Sequence, residues 1–257
     1  MTVTRAGLAG GATAIGYWTF FREPLAAQLA SQSGYDFVCV DHQHGAGDFA
    51  AATRMIDAVV MGGATPIARA PSADPAALGA LLDAGALGVI IPMVNTAEEA
   101  AAAVQACRYP PAGERSMGAI AATVHHGDDY FYEANDTILV IPMIETATAV
   151  DRVFDIARTE GIDGLFVGPS DLGASLGRPP ALDDPASDFQ SALGRVVDAC
   201  RGCGIAAGIY GSAELLRQRI DQGFRMISVS TDWDHIVNGI NDDLRDARSA
   251  LDRRGSQ

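Results

Sequence analysis

Residues 37–69 read FVCVDHQHGAGDFAAATRMIDAVVMGGATPIAR, and the architecture follows from this stretch. It opens on the strand-sized apolar run Phe37–Val40 and closes on another, Thr65–Arg69. Between them, Phe49–Met61 repeats apolar residues at helical spacing behind Asp48, a favourable N-cap type. Strand, helix and strand in so short a span make a crossover unit, the connection that joins parallel neighbours.

The alternation extends both ways. Strands are expected at Ala14–Trp18, Phe37–Val40, Thr65–Arg69, Gly88–Pro92, Leu139–Ile144, Gly164–Val167, Ala206–Ile209 and Met226–Ser230. Helices are expected at Glu23–Ser33, Phe49–Met61, Pro75–Ala84, Ala97–Cys107, Ala147–Thr159, Ser187–Cys203, Ala213–Gln222 and His235–Arg253, several of them behind N-cap residues (Asp74, Thr96, Thr146, Ser212). Eight βα units in 257 residues match a (β/α)8 TIM barrel, so the fold class is α/β with one catalytic domain over residues 1–257. A doubly wound open sheet is the competing arrangement. Residues 108–136 form the one overlong connection and are expected to be a loop insertion that covers or binds.

Composition narrows the chemistry. With 18 basic and 32 acidic residues the net charge is 18 − 32 = −14, the wrong sign for a nucleic-acid partner. The chain has no lysine, which excludes a Schiff-base aldolase, a pyridoxal enzyme and a P-loop nucleotide hydrolase. Cys39, Cys107, Cys200 and Cys203 are too few and scattered for a disulfide scaffold and suit a cytoplasmic protein. The pair Cys200 and Cys203 reads as a helix end with two half-buried thiols, in preference to a redox or zinc motif. The amino-terminal stretch lacks the Leu-type block of a signal peptide, and apolar runs such as Ile138–Ile144 are strand-sized, so neither a targeting signal nor a membrane partner is expected.

In a parallel barrel the reactive groups sit at the carboxyl ends of the strands. Asp41 and His44 follow the second strand, Arg69 ends the third, Glu145 follows the fifth, and Asp171 stands in a loop after the sixth, beyond Gly168-Pro169-Ser170. Glu145 could simply open the next helix, and Asp171 could cap a turn. As a pair on neighbouring strands, however, two carboxylates repel unless a cation lies between them. Oxygen ligands without Cys or a His pair favour a hard divalent ion, Mg²⁺ or Mn²⁺, with Co²⁺ a further candidate. Such an ion can chelate a 2-oxo acid and stabilise its enolate, a lysine-free route to aldol chemistry. His44 is the acid/base candidate, with His42 the weaker one. Arg69 is a charge ending a buried strand, which calls for a partner: a substrate carboxylate or enolate oxygen, or a salt bridge to Asp41 or Glu145.

The ordered set Gly16-Tyr17-Trp18, Asp41-His42-Gln43-His44-Gly45, Ala68-Arg69-Ala70-Pro71, Leu82-Asp83-Ala84-Gly85-Ala86, Ile91-Pro92-Met93-Val94-Asn95-Thr96, Cys107-Arg108-Tyr109-Pro110-Pro111, Ile144-Glu145-Thr146 and Gly168-Pro169-Ser170-Asp171-Leu172 resembles the HpcH/HpaI aldolase family. The resemblance implies a metal-dependent aldolase acting on pyruvate-type donors, with barrel subunits in homo-trimers or homo-hexamers that share active sites. It implies Glu145 and Asp171 as metal ligands, His44 as the acid/base residue and Arg69 as the holder of the donor's oxygens. Gly168, Pro169 and Ser170 would contact the pyruvate moiety. It also implies a catalytic role for Asp83 in a neighbouring subunit, where it would pair with the His; helix direction alone places Asp83 at the far face of its own barrel.

Two positions depart from the common pattern. Gln43 stands where many members have Glu, and Ala119-Ile120-Ala121-Ala122 follows Gly118 where an Arg-Ala pair is frequent, which removes a partner for an acidic acceptor. The expected substrates are a 2-oxo acid and an aldehyde, the latter chosen by residues 115–132 and by side chains near Tyr210. The competing readings are another metal-enolate C–C lyase or decarboxylase, and a non-enzymatic barrel that binds an oxo acid.

Overall fold

The computed structural model describes residues 3–252. Strands β1 (Ala14–Thr19), β2 (Phe37–Asp41), β3 (Thr65–Arg69), β4 (Gly88–Ile91), β5 (Leu139–Ile144), β6 (Gly164–Val167), β7 (Ala206–Tyr210) and β8 (Met226–Thr231) pair in sequence order and close into a barrel. Every pairing is parallel, β8 to β1 included, so the open-sheet alternative does not hold.

The two-residue period of a strand sorts side chains between two cores. Trp18, Phe37, Cys39, Ile67, Ile90, Leu139, Ile141, Met143, Phe166 and Met226 fill the barrel interior. Their neighbours Val38, Val40, Ala68, Val89, Val140, Leu165 and Ile227 point outward into the layer shared with the helices. Val3 and Leu8 join the inner cluster, and the Val3 N–H donates to Thr65 Oγ1, so the amino-terminal segment closes the end where strands begin. Two glycines make room for the interior rings. A Cβ at Gly16 would lie 1.9 Å from the Phe37 ring, and one at Gly208 would lie 2.5 Å from Phe166.

Strand positions agree with the sequence reading to within one residue at either end; the helices differ more. The stretch Ala147–Thr159 is two short helices, Ala147–Asp151 and Val153–Ala157, broken at Arg152. The helix expected from Ala213 begins at Leu216, and Ser212 instead accepts from the Leu215 N–H in the turn before it. Within residues 108–136, expected as a loop, lie the helices Ile120–His126 and Tyr130–Thr137. Arg108 ties this connection down with hydrogen bonds to the Ile138 and Gly161 carbonyls and an ion pair to Asp163. Cys200 is fully buried at its helix end and all four cysteines are free. The last helix runs Asp232–Asp252, and the expected endpoint Arg253 lies outside the described residues. No described helix is long and apolar enough to cross a membrane.

Replacing Gly16 with Ala overpacks the interior against a rigid ring and is expected to cost about 1–3 kcal/mol. Urea unfolding of Gly16→Ala should show an earlier midpoint, partly recovered by Phe37→Leu at the clashing ring. An unchanged midpoint would mean that the ring has room to move.

Candidate active site

Strand parity carries the interior face past the last apolar layer. Two residues beyond Cys39, Ile67, Met143 and Phe166 stand Asp41, Arg69, Glu145 and Gly168, at the carboxyl ends of β2, β3, β5 and β6. Arg69 and Gly168 join Trp18, Phe20, His44, Met143, Pro169, Ser170, Asp171 and Tyr210 around a cavity of about 250 Å³. Asp41 and Glu145 back this lining.

Asp41, fully buried, is the hub of one side. Its carboxylate accepts from Trp18 Nε1 at 3.0 Å and from the Gln43 and His44 N–H groups at 2.9 and 3.0 Å. Arg69 donates to it from Nε at 3.2 Å and also from Nη2, and the guanidinium lies 5.2 Å from the Trp18 ring centre. Asp41 and Arg69 are register partners on adjacent parallel strands, which explains the pairing. The salt bridge to Asp41 anticipated for Arg69 is present. Burial pushes the Asp41 carboxyl up, but Arg69, the His44 N–H and Trp18 more than offset this and hold it below the usual carboxylate range.

His44 is exposed at the rim, its backbone fixed by Asp41 and its side chain lining the cavity. His42 is half-buried, its N–H donated to the Arg69 carbonyl at 2.9 Å and its ring against Phe49. Burial and the nearby Arg22 lower the His42 pKa. Arg22, which the motif reading passed over, donates from Nη2 to the Asp41 carbonyl beneath this loop. A Cβ at Gly45 would lie 2.2 Å from the Asp41 carbonyl oxygen, and one at Gly47 2.5 Å from the Arg22 stem, so both loop glycines are needed for the close approach.

Glu145 occupies the opposite side. Thr146 caps the helix Ala147–Asp151 through the Ala149 N–H, which leaves Glu145 just outside that helix and free to face inward. Glu145 is 2 % exposed, and its Oε1 accepts from the Met93 N–H at 2.6 Å. A Cβ on Gly168 would come within 2.7 Å of its Oε2, so the glycine makes space for the carboxylate. Burial, and then the charge of Asp171, push its pKa up despite the Met93 N–H. Asp171, expected in a loop, instead lies exposed in the first turn of the helix Pro169–Ser175. Among the described residues no group of three or more His, Cys, Asp and Glu gathers as a metal cage; Asp171 lines the cavity with Gly168, against which Glu145 Oε2 lies.

Asp83 is not part of this cavity. It ends the helix Pro75–Asp83 and accepts from Arg115 Nη2 at 2.7 Å, beside a separate cavity of about 680 Å³. Arg115 is itself buried against Tyr109 and Tyr130. Residues 115–132, expected to select the acceptor, do not line the strand-end cavity, whereas Tyr210 does. Trp18 and Phe20 were missed as lining residues; the step of two from Ala14 through Gly16 to Trp18 was the available signal for the first.

A closed parallel barrel with acids, a cation and an imidazole gathered at its strand ends is built as a barrel enzyme. The HpcH/HpaI aldolase/citrate lyase family matches residues 14–239. A 4-hydroxy-2-oxovalerate aldolase of Novosphingobium aromaticivorans is 38% identical over 259 residues, covering 98% of this chain and 96% of that protein. A hydroxypyruvate/pyruvate aldolase of Rhizorhabdus wittichii is 34% identical over 240 residues, covering 93% and 96%. A crystal structure of a family protein from Burkholderia cenocepacia superposes with a TM-score of 0.87 at 33% identity, covering 95% of this chain and 98% of the other. The chain belongs to the HpcH/HpaI aldolase/citrate lyase family and is a carbon–carbon lyase.

Glu145 supplies a prediction. Its raised pKa means that the folded state binds this proton more tightly than the unfolded chain does. The associated stability is fully present below the ordinary carboxylate range and is lost as pH rises through the folded-state value. Glu145→Gln keeps an acceptor for Met93 and removes the charge. Without divalent ions it should melt above the parent at neutral pH, and the gap should close as the pH is lowered.

Proposed function

We propose that the chain is a divalent-metal-dependent aldolase that cleaves or forms 4-hydroxy-2-oxo acids, with pyruvate or a close 2-oxo acid as enolate donor and an aldehyde as acceptor. The observation that carries this reading is the Glu145–Asp171 carboxylate pair beside Arg69 and His44, in a chain without lysine. With no amine to form an imine, another electron sink is required at the 2-oxo carbon. The donor set fits a hard ion. Glu145 commits Oε1 to Met93 and keeps Oε2 in the space that Gly168 opens, and Asp171 lines the cavity beside the same glycine. Mg²⁺, Mn²⁺ or Co²⁺ suits two carboxylates, with positions left for substrate oxygens. When bound, such an ion polarises the 2-oxo group and balances enolate charge. The names of the two curated relatives, a pyruvate aldolase and a 4-hydroxy-2-oxo acid aldolase, support the substrate class.

The chain's own residues supply the rest. In cleavage His44 takes the proton of the C4 hydroxyl, the C3–C4 bond breaks to release the aldehyde, and the electron pair moves through C2 to give the enolate. His44 then returns that proton to C3. Arg69 spends Nε and Nη2 on Asp41, which leaves Nη1 for a donor oxygen. Gly168, Pro169 and Ser170 form the wall that orients the donor, and Trp18, Phe20 and Tyr210 flank it with aromatic surface. Asp41 acts by fixing both Arg69 and the His44 backbone.

Exhaustive chelation should abolish turnover, and borohydride with pyruvate should trap no adduct. His44→Ala should slow both aldol cleavage and deuterium exchange at the pyruvate methyl by on the order of 10²–10⁴. Full activity after chelation overturns the metal reading, and unchanged exchange moves the base away from His44.

Asp83 completes the reading as a residue serving the neighbouring subunit's site in a homo-trimer or homo-hexamer. It lies off its own cavity, Arg115 holds one carboxylate oxygen, and the side chain is 41% exposed beside a large cleft. Closed rings satisfy such head-to-tail contacts with every site filled. Mixing the inactive variants Asp83→Ala and His44→Ala under subunit exchange should therefore restore part of the activity. No recovery despite proven exchange would return Asp83 to a purely local role.

A further inference from the structure

Among the described residues Met93 is the one non-glycine with a left-handed backbone, at φ 59°. That conformation is unfavourable for any residue with a Cβ, so something must hold it. The side chain gives no reason, since Met93 is 53% exposed. The backbone does, because in this conformation its N–H reaches Glu145 Oε1 at 2.6 Å.

The restraint is one side-chain amide. Asn95 Nδ2 donates to the Met93 carbonyl at 2.8 Å, and Asn95 Oδ1 accepts from the Thr146 hydroxyl. The Asn95 N–H donates to Glu99 Oε2 at 2.6 Å, which pins this segment to the start of the helix Ala97–Cys107. The amide therefore joins the residue that donates to Glu145 with the residue that follows Glu145 in the chain. Its orientation is set by chemistry, since only the NH₂ end can meet a carbonyl and the oxygen is left for the hydroxyl. Asp could not donate to Met93, and an aliphatic residue could do neither.

Resting on the metal reading above, we propose that Asn95 is a positioning residue for Glu145: it locks the loop after β4 onto the loop after β5, keeps the Met93 N–H on Oε1, and so presents Oε2 to the cation. Partners of this outer kind are typically worth 10–100-fold in metal affinity.

The test is calorimetric titration of Mn²⁺ alone into metal-free protein, with no substrate. Asn95→Ala should bind about 10–100-fold more weakly than the parent. Thr146→Ser, which keeps the hydroxyl, should bind as the parent does, and Thr146→Val should weaken binding. The double variant Asn95→Ala/Thr146→Val should lose less than the sum of the two single losses, because the two side chains share the bond between Thr146 and Asn95. Parental affinity in Asn95→Ala overturns the proposal while leaving the metal reading intact. A parent chain that binds no Mn²⁺ overturns both.

Discussion

The buried ion pair between Asp41 and Arg69 is the constraint on which the upper barrel depends. Asp41 is fully withdrawn from water and Arg69 nearly so, two charges at the ends of adjacent parallel strands, and breaking such a buried pair by removing one partner is strongly destabilising. Asp41 satisfies its remaining lone pairs with Trp18 and with two successive backbone N–H groups, which folds the chain from Asp41 to His44 into a fixed turn. One carboxylate thus sets the height of an arginine, the orientation of an indole and the path of the loop that carries the histidine. Arg22 reinforces that turn from below through the Asp41 carbonyl.

Most of the barrel was legible because its strands are short apolar runs that a period of two divides cleanly between interior and helical layer. Residues such as Phe37, Cys39 and Asp41 fall on one side, and Val38 and Val40 on the other. Where the text was less legible, the cause was local. The helices Ile120–His126 and Tyr130–Thr137 have no side-chain N-cap and stand amid His, Asp and Tyr residues, so their pattern resembles a loop. Arg152 interrupts a continuous helical period without a glycine or proline to announce it.

Site residues divide in the same way. Glu145, Arg69 and Asp41 could be placed because each extends a strand's parity past its apolar end. Asp171 was found but assigned to a loop, since Gly168-Pro169-Ser170 reads as a turn although Pro169 opens a helix. The pairing of Arg69 was anticipated as a salt bridge to Asp41 or Glu145, and strand register decides for Asp41. Met93 was hidden altogether: its backbone dihedral is held by Asn95, two residues on, and by Glu145, which comes close only when β4 and β5 pair.

Charge balance ties these parts together. The Asp41–Arg69 pair is internally neutral and engages Nε and Nη2 of the guanidinium within the protein. The field met by an anionic 2-oxo acid is then set chiefly by Glu145 and Asp171, which repel it. That repulsion grows as the enolate forms, when a second negative charge develops beside a cavity wall of Trp18, Phe20, Met143 and Tyr210 that screens poorly. No lysine exists to reverse the sign, and Arg22 is folded under the histidine loop against a backbone carbonyl. On the proposed reading, a divalent cation held by the two carboxylates would convert this repulsive arrangement into an attractive one. It would also offset the cost of ionising Glu145, whose pKa burial, and then the charge of Asp171, push up in the ion-free protein.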